Sequence, residues 1–438
     1  MNILIQNGRV IDPASGFDHT ADVAVADGHI VAIAKSGEKL PANFKAEQTI
    51  DAKGCIVAPG LVDLQVRLRE PGYEHEGMLA SELMAAVAGG VTSLVCPPDT
   101  DPVLDEPGLI EMLKFRAEKL HRARVFPLGA LTRGLKGEVL TEMSDLTDAG
   151  CVGFSQAEVP LENTQVLQRA LQYAATFGYT VWLRPQEVHL GKGVAASGPL
   201  ATRLGLGGVP VAAETIALHT IFALMRSTKA RVHLCRISSA EGVELVRAAK
   251  KEGLAVTADV SINSLHLSDH DIGYFDSRAR VTPVLRQQRD RDALRAALAD
   301  GTLDALVSDH MPVDNDGKAL PFAEAESGAT GLELLLSLSL KWAQDSKVSV
   351  LRALDVLTAQ PAKVLGKIEG QSNSLGQLHV GGVADIVVFD PAVEWHVTPD
   401  ALHSQGKHTP FAFDMTGMSL PARVKTTLVA GHVAYQAV

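Results

Sequence analysis

Between residues 56 and 307, short apolar runs alternate with helical patterns, and that alternation restricts the chain to an α/β fold with a mostly parallel sheet. Runs at 56–68, 91–96, 124–128, 151–155, 179–183, 231–235, 255–260 and 303–307 each read as a buried strand. Patterns of helical period, such as 82–88, 163–177, 241–251 and 290–299, separate many of them. Eight such strands match the count of a (β/α)8 barrel of the TIM type, whose catalytic groups sit at the strand C-terminal ends. The polar residues that follow each strand are therefore where chemistry is to be read.

The two ends of the chain have a different pattern. Residues 1–55 alternate at the strand period, with turns at Asn7-Gly8 and Asp27-Gly28 and no helix. A matching composition returns at 381–390, 424–429 and 433–435. Two half-sets of strands around an α/β middle predict one small β-sandwich built from both termini, 1–55 and 372–438, with the barrel at 56–371. A length of 438 residues suits one large and one small domain.

A formal net charge of −11 disfavours a broad electrostatic grip on nucleic acid or on an anionic membrane. The start of the chain lacks the basic and apolar runs of a signal peptide, and no window is apolar for long enough to span a bilayer, so a cytoplasmic protein is expected. Cys55, Cys96, Cys151 and Cys235 are scattered without a C-x-x-C pair and read as buried free thiols.

The stretch from Gly60 to Gly72 is the most informative. Gln65, Arg67 and Arg69 are spaced by two, so on a strand they point one way, into a pocket at its end. The stretch resembles the first metal-binding segment of the dihydroorotases and other cyclic amidohydrolases, D-x-H-V-H-L-R-E-P-G. Asp63, Arg69, Glu70, Pro71 and Gly72 match it, while its two histidines are Gln65 and Arg67 here. An arginine offers no lone pair to a metal.

The likeness continues along the chain. The M-P-N-T-x-P pattern is Pro97-Pro98-Asp99-Thr100-Asp101-Pro102, and S-D-D-G is Ser155-Gln156-Ala157-Glu158, with Glu158 off register and read as a loop residue. H-A-E-D becomes Arg184-Pro185-Gln186-Glu187, and H-x-x-H-x-S becomes His233-Leu234-Cys235-Arg236-Ile237-Ser238, with His233 read as a hydrogen-bonded core residue. N-P-P-L-R is Thr282-Pro283-Val284-Leu285-Arg286, and T-D-H-A-P-H is Ser308-Asp309-His310-Met311-Pro312-Val313.

The resemblance implies a barrel fold with Asp309 as the retained base and with Arg69, Asp99, Thr282 and His310 at substrate-contacting positions. It also implies that the zinc ligands of the family are replaced at Gln65, Arg67, Gln156, Arg184 and Arg236, so that no cofactor is expected. Arg67, Arg184 and Arg236 are expected to face Asp309 and hold it ionised, balanced by Asp99, Glu187 or a small bound anion. The resemblance is strongest to non-catalytic dihydroorotase-like paralogues that partner bacterial aspartate carbamoyltransferase in pyrimidine synthesis, as homo- or hetero-oligomers. The alternative is an active cyclic amide hydrolase that opens dihydroorotate with an atypical site.

Overall fold

A computed structural model describes residues 2–366, 368, 374–412 and 417–437. Its middle is the expected barrel. Parallel ladders join Leu61–Asp63 to Val91–Cys96 and Arg124–Pro127, and join Gly129–Ala130 through Phe154–Ser155, Thr180–Leu183, Arg231–Leu234 and Val256–Ser261 to Ala305–Val307. A parallel bridge between Val66 and His310 brings the last strand beside the first and closes the ring.

Local chemistry sets the helices that wrap it. In Thr164–Phe177 the Asn163 side chain accepts hydrogen bonds from the N–H groups of Gln165 and Val166, and Gly178 ends the helix at φ 75°. Val166, Leu167, Ala170, Leu171 and Ala174 fall on one face at helical spacing and are buried against the barrel. Ala240–Glu252 repeats the scheme, with Ser239 as cap and Gly253 at φ 88°.

Both termini supply one continuous eight-stranded sheet. Its apolar cluster draws Ile3, Ile5, Val23 and Ile30 from one side and Ile386, Val388 and Leu428 from the other, so the sheet closes on its own core as a sandwich. One expected boundary moves. The run at 56–68 is not a single strand: Ile56–Pro59 pairs antiparallel with 386–389 of the terminal sheet, and Leu61–Asp63 then enters the barrel. Gly60 marks the change, because a Cβ there would lie 2.2 Å from the Thr92 hydroxyl. The expected boundary at 371/372 lies outside the described residues. No described helix is long and apolar enough to cross a membrane.

Candidate functional site

At the C-terminal end of the barrel, three arginines converge on one carboxylate. Arg67 follows the first barrel strand and places Nη2 2.8 Å from Glu158 Oε1. Arg184 Nε lies 2.5 Å from Glu158 Oε2, and Arg236 Nη2 donates to Glu158 Oε1. Two more acids complete the cluster: Arg67 Nε is 2.8 Å from Asp99 Oδ2, and Arg236 Nη1 is 2.8 Å from Asp309 Oδ1. Three guanidiniums thus face three carboxylates. Asp99 balances Arg67 as expected, whereas Glu187 accepts instead from the N–H groups of His189 and Leu190.

Glu158 is the residue the sequence reading passed over. An extended segment would have turned it away, but Ala157 adopts φ 50°, and this left-handed turn swings the next side chain into the barrel mouth. The available signal was electrostatic: three inward arginines require an acid nearby, and Glu158 is the acid of that loop. Arg69, Arg236 and Asp309 also sit at positive φ, 62°, 56° and 51°, at the ends of the first strand segment, the Arg231–Leu234 strand and the Ala305–Val307 strand.

The electrostatics follow from enclosure. Burial pushes the Glu158 carboxyl up, but Arg236, Arg184 and Arg67 outweigh it and hold the group well below the usual carboxylate range. Arg236 is raised, since Glu158 and Asp309 exceed its burial penalty. Asp309 departs from expectation. Its contact with Arg236 is made, yet burial, with the charge of Glu158, leaves its pKa raised rather than lowered.

The other predicted residues divide. Thr282 lines the mouth cavity of about 430 Å³, its carbonyl accepting from Arg236 at 3.0 Å and its hydroxyl 2.7 Å from Ser327. Arg69 is buried and committed to Glu76 at 2.8 Å, the Pro312 carbonyl at 2.9 Å and Glu326 at 3.3 Å. Gln65 is buried, and Gln156 turns aside to bond Thr132 and the Leu135 carbonyl. His310 is not a ligand-facing group. It is fully buried, with Nε2 2.8 Å from Glu82 and Nδ1 accepting from the N–H groups of Gly331 and Leu332. Arg280 and Arg286 also line the cavity, and among the described residues the buried Nε of Arg280 has no hydrogen-bond partner.

The donor set of Gln65, Arg67, Gln156, Arg184 and Arg236, two amides and three guanidiniums, does not fit a divalent ion. The expectation of no cofactor, drawn from those positions alone, is nevertheless overturned. Deeper in the barrel, buried His233, Cys235 and Asp259 each offer one ligand atom, and these atoms lie within 4.8 Å of one another. Imidazole, thiolate and carboxylate form a donor set that zinc accepts. His233 Nε2 lies 2.9 Å from Asp259 Oδ2 and Nδ1 2.8 Å from Thr257, which is the hydrogen-bonded core environment expected of it.

Comparison with known proteins agrees with this architecture. The family described as Dihydro-orotase-like matches residues 54–242, and the Amidohydrolase family, whose members bind metals, matches residues 210–434. A dihydroorotase-like protein of Pseudomonas aeruginosa is 43% identical over 437 residues, covering 100% of each chain. A dihydroorotase of Geobacter sp. strain M21 is 40% identical over 438 residues, again with 100% of each chain covered. The solved L-hydantoinase (dihydropyrimidinase) of Arthrobacter aurescens shares the fold, with a TM-score of 0.86, 24% identity and coverage of 100% of this chain and 97% of that one. The chain therefore belongs to the dihydroorotase-like amidohydrolases.

Proposed function

We propose that this chain is a catalytically idle dihydroorotase-like protein of pyrimidine biosynthesis, located in the cytoplasm, that acts as a structural or regulatory partner of aspartate carbamoyltransferase. The observation that carries the reading is the ion cluster at the barrel mouth. Hydrolysis of a cyclic amide needs an activated water and a base free to take its proton. Here the retained Asp309 is bonded to Arg236 at 2.8 Å, and its neighbours Arg67, Arg184 and Arg236 are committed to Glu158. Guanidiniums hold a carboxylate in place but cannot lower the pKa of a water as a Lewis acid does.

The barrel would then be kept for its surface. The partner follows from the resemblance to the non-catalytic paralogues. The test is size-exclusion chromatography of this protein mixed with the aspartate carbamoyltransferase of its own organism, with transcarbamoylase and dihydroorotate ring-opening assayed across the peaks. Co-elution in fixed ratio, altered transcarbamoylase activity and no ring-opening beyond that of the carbamoyltransferase alone are expected. Separate elution would remove the partner, and ring-opening that follows this chain would replace the idle barrel with an active hydrolase of atypical site.

A further inference from the structure

A large cavity lies at the opposite end of the barrel from the ion cluster. It has a volume of about 870 Å³ and is lined by Arg124, Thr180 and Arg231, each the first residue of a parallel strand, and by the helix residue Lys114. Val429, Ala430 and His432, from the last turn of the terminal sheet, form its other wall, so it sits at the junction of the two domains. Ligand cavities favour such junctions, and this volume is in the range, roughly 300–1,000 Å³, of a metabolite-sized ligand.

Its charge runs against that of the chain. Arg124 is paired with Asp385 at 3.0 Å, an interaction that ties the barrel to the sheet turn. Lys114, Arg122 and Arg231 also line the cavity, and among the described residues no salt bridge joins any of them to an acid. Lys114 and Arg122 are half-buried, and Arg122 donates to the Ala434 carbonyl. Among the described residues Glu118 is the one carboxylate in the lining. In a protein of net charge −11, three cations that no described acid pairs, grouped around one concavity, concentrate positive potential at that spot. Tyr179 and Phe126 supply the aromatic part of the wall.

We infer that this domain-junction cavity binds a phosphorylated metabolite of about nucleotide size, its phosphates held by Lys114, Arg122 and Arg231. Guanidinium and ammonium groups bond phosphate oxygens with charge assistance, and the remaining volume accommodates the organic part. Because a ligand there would touch both a barrel helix and the sheet turn, its binding stabilises the docking of the two domains. The inference is independent of what the barrel mouth does.

The test uses the full-length protein in low-salt buffer, with pyrophosphate and the four ribonucleoside triphosphates as probes and thermal melting and calorimetric titration as readouts. Binding with a raised melting temperature is expected. Arg231→Glu and Lys114→Glu each weaken it by about tenfold or more, the effect of one charge-assisted contact. Arg231 is exposed, so its substitution leaves the unliganded melting temperature unchanged and reports on binding rather than folding. Equal affinity for pyrophosphate and nucleotides assigns recognition to the phosphates alone, and tighter nucleotide binding assigns the organic part to the aromatic wall. The inference is overturned if no probe binds at millimolar concentration or if Arg231→Glu binds as wild type. It is equally overturned if Arg280→Met at the barrel mouth, rather than the junction variants, abolishes binding.

Discussion

Arg67 and Glu158, 91 residues apart in sequence, meet at 2.8 Å across the barrel mouth. Glu158 keeps about a quarter of its side-chain exposure, toward the cavity, yet its carboxylate is ion-paired with three guanidiniums. Glu158→Gln keeps the shape and removes the charge, leaving three buried arginines facing Asp99 and Asp309 alone. We expect a loss of about 3 kcal/mol in urea unfolding, the scale for breaking a buried ion cluster from one side. A loss below about 1 kcal/mol would show that Glu158 is not the hub.

Arg280 presents the opposite case. Burial lowers its pKa, and among the described residues no acid offsets it and its Nε has no partner. Replacing an uncompensated, largely buried cation with an apolar side chain of similar length removes a desolvation penalty. Arg280→Met is expected to raise unfolding free energy by roughly 1 kcal/mol. Destabilisation of that size would mean that the guanidinium is satisfied in solution.

Stability should fall as pH rises from about 4 to about 7, in part through Asp63. Burial raises its carboxyl to about 7, with Oδ2 unpartnered, while Oδ1 accepts from the N–H groups of Gln65 and Ser308. With the folded pKa above the unfolded one, the native state binds the extra proton across that window. Its stabilisation is complete below the unfolded pKa and is lost as pH rises through the folded one. Asp63→Asn imitates the protonated form, so its unfolding free energy should depend less steeply on pH than that of the wild type, by up to about 1.4 kcal/mol per pH unit. Parallel profiles for the two proteins would exclude Asp63 as the source.

All four cysteines are buried and free, and burial raises the pKa of each, that of Cys96 to about 12. The thiolate is the reactive form, so an aromatic disulfide reagent at pH 8 should label none of them in the native protein and all of them in denaturant. Rapid labelling of any one before unfolding would contradict its burial.

Glu82 and His310 form a fully buried pair at 2.8 Å, with the Ser404 hydroxyl donating to the same carboxylate. His310→Ala should therefore lower stability by about 2–4 kcal/mol, because it strands a buried acid. A variant as stable as the wild type would return His310 to a ligand-facing role.

The alternating strand and helix pattern, the shared terminal sheet and the inward-facing arginines Arg67, Arg184 and Arg236 at the strand ends were all legible in the sequence, since each is a local property of side-chain type and spacing. The partnership of those arginines was not. Glu158 depends on the left-handed turn at Ala157, His310 on a carboxylate 228 residues away, and the His233–Cys235–Asp259 group on two adjacent barrel strands. Periodicity shows which face a residue occupies, but which charge stands opposite is decided only when distant strand ends close into one ring, where desolvation forces each buried charge to find a partner.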